Sequence, residues 1–380
     1  MLSWIELENF KANRYSPIRV EALTVLAGLN SSGKSSVLQA LALLRQTYLA
    51  NNAPHGLSLK GHLIQLGRYR DVHTEGADND VISLSLVEDD FKYKWSCIGK
   101  SDEDVLKFVK TPKQLPKFVN AKHFQYLQAD RMVPKTLYPQ APDDARELEF
   151  LGTHGEYTVD YLAQPNNGRK LVSKRRLYRK PPYLVSKALV RKVAQTPRLL
   201  DQVGGWLQSI SPGVRLNAEV IKGTDEVRLQ YGVVGRLAIK RGGTLRRPAN
   251  MGFGVTYSLP IIVACLIAER GSLLLLENPE AHLHPKGQAA LGDLIARATN
   301  DGVQIIVETH SDHLLNGIRL AVKRGICDAN KVALNFFSRA SRDDSVRIKS
   351  PALLPNGRLT NWPDGFFDQW DKAVDALLDD

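Results

Sequence analysis

Apolar and polar residues follow two different periods along the chain, and the period changes between its first and last thirds. Strict alternation, which is typical of half-buried strands, runs through Ser3–Phe10 and part of Ala22–Ala27. Residues 80–110 hold two further alternating runs, and the acidic pair Asp89–Asp90 between them predicts the turn of a β-hairpin. A helical pattern occupies Lys34–Tyr48. The first third is therefore predicted to be mainly β, with one long helix.

In the last third, short apolar strands alternate with helices. The predicted helices are Val255–Glu269, Lys286–Asn300 and Ser311–Lys323, and the predicted strands are Ser272–Leu276, Val303–Val307 and Val332–Phe337. Such alternation is typical of a parallel sheet with helices packed on it. The chain is therefore predicted to be an α/β protein.

The middle of the chain keeps neither pattern for long. Prolines interrupt residues 135–212, where short helices fit Glu156–Ala163, Leu184–Ala194 and Pro197–Ser209. Alternation typical of strands returns at Val214–Ile239. These changes predict four parts: an N-terminal half-domain at 1–134, a mostly helical insertion at 135–212, a C-terminal half-domain at 213–340 and a small terminal domain at 341–380.

Composition adds one local feature to this picture. The 380 residues are 43% hydrophobic and 24% charged, which excludes a disordered chain, a collagen-like fibre and a small disulfide-stapled scaffold. With 51 Lys and Arg against 40 Asp and Glu, the net charge is +11. The whole excess lies in Arg169–Arg198, which holds eleven basic residues and no acidic one. This basic segment predicts either contact with a polyanion or a set of solvated helix faces.

Cysteine usage and hydropathy bear on the compartment. Cys97, Cys265 and Cys327 are odd in number and far apart, which argues against a disulfide framework and fits a reducing cytoplasm. The longest apolar stretch, Leu259–Ala268, is shorter than the ~20 residues that span a bilayer. The N-terminus has no apolar run long enough for a signal peptide. We expect a cytoplasmic protein with no membrane partner.

The stretch from Gly28 to Ser35, GLNSSGKS, matches the phosphate-loop pattern G-x-x-x-x-G-K-[ST]. It lies between a predicted strand and a predicted helix, which is the context that the motif requires. Lys34 would reach the β- and γ-phosphates of ATP, and the Ser35 hydroxyl would bind Mg²⁺. The alternative is an ordinary Gly/Ser loop before a helix. The predicted ATP-binding residues are Gly28, Asn30, Ser31, Ser32, Gly33, Lys34, Ser35 and Ser36.

A second acidic site follows four leucines, in the sequence LLLLENPE at residues 273–280. A buried strand there would place Glu277 at its carboxyl end, where ligands bind in open α/β sheets. Glu277 is therefore predicted to hold Mg²⁺, directly or through water, with Glu280 close behind it. The alternative is a strand that ends in an ordinary polar turn.

Several histidines follow, and they allow two interpretations. His282, His284, His310 and His313 could suggest a zinc site, but their spacing is not the H-E-x-x-H of helical zinc sites. His310 comes just after the predicted strand Val303–Val307. There its side chain could bond a γ-phosphate or an attacking water, which is the interpretation that we prefer.

Taken in order, the motifs resemble those of a known group. The stretches LENF, GLNSSGKSS, NMGFGVTYSLPIIVA, LLLLENPEAHLHP and ETHSDH follow one another as in the ABC-type ATPase heads of the SMC, RecF and RecN group. The order is similar, more closely, to AAA-type ATPases related to the overcoming-lysogenisation-defect (OLD) proteins. Residues 356–370 resemble a small domain of unknown function that ends one branch of those ATPases. The middle of the chain matches only at YLQADRMVP and GTHGEYT.

The resemblance implies a P-loop NTPase head of the ABC type: a mixed sheet with a parallel core, flanking helices, an antiparallel β lobe and a mostly helical insertion. In such heads two ATP molecules are enclosed between two copies, each ATP held by one copy's phosphate loop and the other copy's signature motif. The matching residues are the signature residues Gly252, Gly254 and Thr256, the switch histidine His310, the Mg²⁺-sensing glutamine Gln65 and the loop asparagine Asn30.

One position departs from the family. Most ABC-type ATPases carry two acids before the proline, one for Mg²⁺ and one that polarises water, whereas here Asn278 occupies the second position. Asparagine cannot accept a proton, so general-base help from this position is lost. We expect either slow hydrolysis, with ATP acting largely as a dimerising switch, or a substitute role for Glu280.

The resemblance also suggests partners. We expect an ATPase that dimerises around ATP and serves as a switch or scaffold for DNA sensing and for an effector such as a nuclease acting in trans, in bacterial anti-phage defence. The alternative is a stand-alone DNA repair ATPase of the RecF or RecN kind. A transporter ATPase is disfavoured by the long insertion. The predicted DNA-binding residues are Lys174, Arg175, Arg176, Arg179, Lys180, Arg191 and Lys192.

Overall fold

The computed structural model describes residues 1–49, 55–122, 124–178, 194, 196–233, 245–339 and 345–378. The chain divides into two compact units. The first unit contains residues 1–121, 304–310 and 328–380, and the second contains residues 122–303 and 311–327. Motifs that are neighbours in sequence can therefore belong to different units, as His310 and Ser311 do.

The elements are numbered in chain order. The strands are β1 (Leu2–Phe10), β2 (Asn13–Arg19), β3 (Leu23–Gly28), β4 (Leu57–Ser58), β5 (Ile82–Glu88), β6 (Phe91–Ile98), β7 (Val105–Lys110), β8 (Phe124–Leu127), β9 (Leu137–Pro139), β10 (Val214–Val220), β11 (Glu226–Val233), β12 (Leu245–Arg246), β13 (Leu273–Glu277), β14 (Gln304–Glu308), β15 (Val332–Ser338) and β16 (Arg347–Lys349). The helices are α1 (Lys34–Leu49), α2 (Tyr69–Val72), α3 (Lys117–Asn120), α4 (Asp143–Glu147), α5 (Thr158–Ala163), α6 (Pro165–Gly168), α7 (Leu199–Leu207), α8 (Phe253–Ile267), α9 (Pro285–Asn300), α10 (Asp312–Lys323) and α11 (Gln369–Leu378).

The first unit contains an antiparallel sheet in the order β2-β1-β5-β6-β7-β4. The alternation that predicts β1 buries Ile5, Leu7 and other residues of one face. The predicted hairpin of residues 80–110 is confirmed as β5 and β6, and Asp89 and Asp90 both have positive φ in the turn between them. This sheet forms the antiparallel lobe of the fold.

The first unit also holds parallel strands. β3 lies between β14 and β15 and runs parallel to both, while β16 pairs with the outer edge of β15 in the antiparallel direction. Helix α1 follows β3 and buries Val37, Leu38, Leu41 and Leu44. At the end of the chain, the ring of Phe366 packs 5.3 Å from that of Phe336 on β15. The carboxyl ends of β3 and β14 therefore meet beside the start of α1.

The second unit combines a parallel strand pair with a hairpin and helices. β13 runs parallel to β8, from the pair Leu273 and Phe124 onwards. β10 and β11 form an antiparallel hairpin that β9 and β12 extend. Helices α9 and α10 lie close together because Gly292 and Gly317 have no side chains: a Cβ at Gly317 would stand 2.2 Å from the carbonyl oxygen of Ala289. The mixed parallel and antiparallel α/β fold is confirmed.

Two predicted features fall partly or wholly outside the described residues. The predicted helix Leu184–Ala194 lies almost entirely there, as does the end of the predicted alternating run Val214–Ile239. Between 135 and 212 the described helices are short, and β9 joins the sheet of the second unit through β11. In the part of the chain that the structure describes, no helix has both the length and the apolar character needed to cross a membrane.

Candidate functional site

The phosphate loop joins β3 to α1, and two of its glycines have conformations that other residues rarely adopt. Gly28 has φ +139°, and a Cβ there would lie 2.0 Å from the carbonyl oxygen of Phe337. Gly33 has φ +93°, and a Cβ would lie 3.1 Å from side-chain atoms of the buried Asn13. Ser31 also has positive φ, at 60°. These values explain why the loop needs small residues to curl back on itself before α1 begins.

Lys34 opens α1 and is 3% exposed. Its Nζ donates a hydrogen bond to the carbonyl oxygen of Leu29 at 2.6 Å and lies 3.8 Å from Oε1 of Glu308. Burial lowers the pKa of Lys34, while Glu308 acts in the opposite direction. The backbone of the loop thus curls around the buried amine of Lys34. The loop leads directly into the N-terminus of α1, and the free N–H groups of a helix N-terminus favour anions.

Glu308 is a candidate site residue that sequence reasoning missed. It ends β14 as the last residue of QIIVE, so a carboxylate follows apolar strand residues just as Glu277 does. The signal was present in the sequence, but His310, two residues later, was preferred as the candidate. β14 runs parallel to β3, and this pairing brings Glu308 to the phosphate loop.

His310 follows β14 in the first unit and is exposed, although part of its ring is covered by protein. Burial lowers its pKa, and the positive charge of Lys34 lowers it further. The imidazole is therefore neutral at physiological pH and can accept or donate a hydrogen bond. Lys34 therefore interacts electrostatically with both His310 and Glu308.

A cleft of about 730 Å³ opens beside the phosphate loop, in the first unit. Its floor includes Leu29, Asn30, Ser31 and Ser32 of the loop. Its other lining residues include the charged side chains of Lys11, Arg14, Arg70, Asp71, Glu75 and Arg339, and also His73. The volume is in the range of small-molecule sites. The sequence did not single out these lining side chains, because they come from separate strands, helices and turns.

Gln65 lies on an exposed loop of the first unit, where its backbone bridges to Lys60. Another glutamine, Gln46 of α1, holds this loop. Its Nε2 donates to the carbonyl oxygen of Ser58 at 3.0 Å, and its Oε1 accepts from the N–H of Ile64 at 3.0 Å. The loop that carries Gln65 is therefore fixed to the helix that follows the phosphate loop.

Glu277 ends β13 in the second unit, and both of its carboxylate oxygens accept hydrogen bonds. Tyr126 donates through its hydroxyl to Oε1 at 2.6 Å, and the N–H of Ala129 donates to Oε2 at 3.1 Å. Burial raises the pKa of Glu277, and the two hydrogen bonds oppose that shift. The next residue, Asn278, has φ +41°, and among the described residues its buried Oδ1 has no hydrogen-bond partner. Glu280 is 9% exposed.

The predicted signature residues differ in their surroundings. Gly252 lies at the N-terminus of α8, and a Cβ added there would meet no described atom within 4 Å. Gly254 is buried, and a Cβ there would lie 2.4 Å from the carbonyl oxygen of His282. Thr256 is fully buried, and its hydroxyl lies 3.1 Å from that of Tyr231. The expectation that Thr256 faces a second copy is therefore corrected, because its side chain is used inside the unit.

The basic segment also needs one correction. Lys174 and Arg175 are exposed, but Arg176 is 4% exposed and its Nε lies 2.7 Å from Oδ2 of Asp301. Its Nη1 also donates to the carbonyl oxygens of Cys265 and Ala268, at the end of α8. Arg176 is thus a buried helix cap and not a surface for DNA. The remaining candidates, Arg179, Lys180, Arg191 and Lys192, lie outside the described residues.

The candidate cofactor is Mg²⁺-ATP, and the loop suits it. The tight glycines, the helix N-terminus and the amine of Lys34 form a cradle for phosphates, and Ser35 follows with a hydroxyl suited to Mg²⁺. The described residues contain no group of three or more His, Cys, Asp and Glu placed to hold a metal by themselves. Cys97, Cys265 and Cys327 are all buried free thiols.

Comparison with solved structures supports the fold. A crystal structure of the Smc head domain with an extended coiled coil, bound to the C-terminal domain of ScpA and derived from Pyrococcus furiosus, matches with a TM-score of 0.53 and 14% identity, covering 99% of each chain. The Thermotoga maritima SMC head domain matches with a TM-score of 0.43 and 13% identity, over 92% of this chain and 98% of that one. The Pyrococcus furiosus match, whose TM-score exceeds 0.5, confirms the α/β head fold with its antiparallel lobe.

Comparison with protein families identifies the chain. No curated protein sequence matches it. The C-terminal residues 327–377 match a family described as "Protein of unknown function (DUF3696)". Residues 23–316 match the family described as "AAA domain, putative AbiEii toxin, Type IV TA system", which spans more than half of the chain. The chain therefore belongs to this family of P-loop AAA ATPase domains and has an SMC-like head fold.

Proposed function

We propose that this protein binds Mg²⁺-ATP at the phosphate loop of the first unit and hydrolyses it slowly. The observation that supports this most is the closed loop around Lys34, with the carboxylate of Glu308 3.8 Å from its amine and an open cleft beside it. In the proposed complex the phosphates bind Gly28, Gly33, Lys34 and the other loop residues through Ser36. The base and ribose occupy the adjacent cleft.

The proposed metal ligands are the hydroxyl of Ser35, the carboxylate of Glu277 and the amide of Gln65. A bound Mg²⁺ would neutralise phosphate charge during phosphoryl transfer. Within this chain, His310 holds a hydrogen bond to the γ-phosphate or the attacking water, since its imidazole stays neutral beside Lys34. Asn278 cannot take a proton from that water, so Glu280 is the proposed base.

We further propose that ATP closes a homodimer. The open position of Gly252 at the start of the 15-residue helix α8 supports this, because a helix N-terminus with free N–H groups can bind a phosphate supplied by a second copy. Gly254 keeps that helix against the backbone of His282. Because Asn278 leaves no general base at that position, hydrolysis would be slow and ATP would act mainly as a switch between monomer and dimer.

The biological role that we propose is a switch or scaffold for an effector protein, such as a nuclease, and for DNA sensing in bacterial anti-phage defence. The family description names a toxin of a type IV toxin–antitoxin system. The Pyrococcus furiosus Smc head is bound to a domain of another protein, ScpA, and a head used as a scaffold is consistent with that. The free thiols support a cytoplasmic location. The proposed contact with DNA is based on the basic segment, from which the buried Arg176 is excluded.

The experiment compares the wild-type chain with Lys34→Ala and with Lys323→Ala, an exposed lysine at the end of α10. ATP binding is measured by titration, phosphate release by a colorimetric assay and dimerisation by sedimentation with and without Mg²⁺-ATP. We expect Lys34→Ala to lower turnover by on the order of 100-fold and to abolish the ATP-dependent dimer, because it removes the amine that meets the phosphates. Lys323→Ala should behave like wild type.

Equal ATP binding and turnover in Lys34→Ala and wild type would contradict the proposed function. Co-purification with neighbouring gene products then separates the biological roles. Capture of an effector supports the scaffold. Salt-sensitive DNA binding without any partner favours the DNA repair alternative.

A further inference from the structure

Arg131 is a buried arginine that joins three segments of the second unit. It lies just after β8 and is 3% exposed. Its Nη1 donates to the carbonyl oxygens of Gln128 at 2.9 Å and of Glu277 at 2.5 Å, and its Nη2 donates to that of Asn278 at 2.7 Å. Its Nε donates to the carbonyl oxygen of Tyr257 at 3.3 Å. One guanidinium thus bonds the ends of β8 and β13 and the first turns of α8.

The ring of Tyr257 strengthens this junction. The guanidinium carbon of Arg131 lies 4.4 Å from the ring centroid, a cation–π distance. The backbone N–H of Arg131 donates to the Tyr257 hydroxyl at 3.3 Å, and that hydroxyl in turn donates to the carbonyl oxygen of Ala129. The N–H of Ala129 is the donor that holds Glu277. The junction therefore contacts both the segment that carries the candidate acid Glu277 and the helix α8.

The charge of Arg131 matters as well as its hydrogen bonds. Burial lowers its pKa to about 10, and the nearby Tyr257, Glu280, Glu277 and Asp130 act against that shift. The guanidinium is therefore cationic at physiological pH, close to both candidate acids. Its carbonyl partners at Glu277 and Asn278 lie on either side of the left-handed turn at Asn278, which has φ +41°. A turn of that kind persists only where its surroundings hold it.

We propose that Arg131 is a positioning residue for the proposed ATP hydrolysis, holding the backbone of Glu277 and Asn278 and the start of α8 in one arrangement. The inference rests on the proposed function, because it acts through residues that we assign to Mg²⁺, water and the second copy. Arg131 itself touches neither nucleotide nor water in this role. The planar guanidinium of Arg131 donates hydrogen bonds to several carbonyl oxygens in different directions. The single ammonium group of a lysine cannot make the same set of bonds.

A purely structural role is the competing explanation, and Arg176 offers a matched control for it. Arg176 is also in the second unit, is 4% exposed and also donates to backbone carbonyls. It caps the other end of the same helix, α8, near Cys265 and Ala268. Loss of either guanidinium leaves carbonyls unpaired in the interior, so both variants should lose stability. Of these two arginines, Arg131 is the one that contacts the candidate hydrolysis site.

The experiment uses the full chain with Arg131→Lys, Arg131→Met, Arg176→Lys and Arg176→Met. Melting temperature, Kd for Mg²⁺-ATP, and kcat and KM for phosphate release are measured for each. We expect Arg131→Lys to keep its Kd within about twofold and to lose kcat by on the order of 10-fold or more, since a misplaced site costs turnover rather than binding. Arg176→Lys should lower the melting temperature by a similar amount and keep kcat within about twofold.

Each outcome separates the explanations. Equal losses of kcat in Arg131→Lys and Arg176→Lys, or no loss in either, would overturn the positioning role while leaving the proposed function intact. If the wild-type chain releases no phosphate above Lys34→Ala, both the proposed function and the positioning role fail. Should the methionine variants not fold, the two lysine variants, which keep the charge, carry the comparison by themselves.

Discussion

Two buried strands of this chain end alike, yet their final glutamates have different surroundings. β13 ends in LLLLE and β14 ends in QIIVE. In the first unit the carboxylate of Glu308 lies 3.8 Å from the amine of Lys34. In the second unit the carboxylate of Glu277 accepts from Tyr126 and Ala129, while Arg131 bonds its backbone carbonyl. The same local pattern thus gives different results. Glu308 is a counter-ion of Lys34, whereas the carboxylate of Glu277 is held by two hydrogen bonds.

The difference shows that a strand-end carboxylate acquires its role from what packs against it. Glu308 supports the charge of a buried lysine, because its own charge opposes the effect of burial on the pKa of Lys34. Glu277 is held in one orientation by a hydroxyl and a backbone N–H. We therefore expect substitution of Glu308 to affect ATP binding and substitution of Glu277 to affect turnover.

The largest effect is expected from the pair Glu277→Gln and Glu308→Gln. Glu277→Gln should lower kcat by on the order of 100-fold at nearly unchanged ATP affinity, because the amide lacks the charge that a Mg²⁺ ligand supplies. Glu308→Gln should mainly weaken ATP binding, because the amide carries no charge to hold the amine of Lys34 in place at the phosphate loop. Kd and kcat are measured for both variants. If Glu277→Gln mainly weakened ATP binding and Glu308→Gln mainly lowered kcat, the roles that we assign to the two glutamates would be wrong.

A smaller effect is expected at the acid that follows the second strand end. Glu280→Gln should lower kcat by roughly 10-fold or more if this residue serves as the base. Asn278→Glu is the companion variant, and it should not raise turnover, because the left-handed backbone at φ +41° suits asparagine better than glutamate. Phosphate release by both variants is compared with wild type. Fast turnover that survives Glu280→Gln, or a clear gain in Asn278→Glu, would contradict this assignment.

The smallest effect is expected at His310, which follows β14, and it concerns how the stability of the folded chain depends on pH. The pKa of His310 is lowered in the folded chain, so the unfolded chain binds the proton more readily. This contribution is therefore fully present above the unfolded pKa of about 6.5 and is lost as pH falls through the folded value. His310→Gln should make the fall in Tm between about pH 7.5 and 5.5 shallower, and melting curves recorded across that range check this. An unchanged or steeper fall would contradict the lowered pKa of His310, which is caused first by burial and then by the charge of Lys34.

Much of the local structure follows from the sequence because short-range patterns determine it. Alternation at Ser3–Phe10 and around Asp89–Asp90 reports which face is buried, and β1, β5 and β6 form there. The pattern at Gly28–Ser35 specifies backbone conformations as well as chemistry, and the structure gives Gly28 and Gly33 the positive φ values that such a loop uses. Short-range patterns do not predict side-chain contacts between segments that are distant in the sequence.

Arg176 and Thr256 show why the other part needed the structure. In the sequence Arg176 belongs to a basic run, and only the packing of the end of α8 turns it into a buried cap. Thr256 matches a signature motif, and only the proximity of Tyr231 turns its hydroxyl inward. Burial depends on neighbours that are 25 or more residues away in these cases. Residue type and spacing alone do not encode it.

The sequence by itself determined the phosphate loop, the acidic strand end at Glu277 and the family, because each is a continuous motif with its own backbone requirements. The tertiary structure decided that Lys34 pairs with Glu308, that Gln46 holds the loop carrying Gln65, and that Arg131 joins β8, β13 and α8. These contacts link positions that are far apart in the chain. They arise only when the chain has folded, because the packing of strands, helices and loops brings these side chains together.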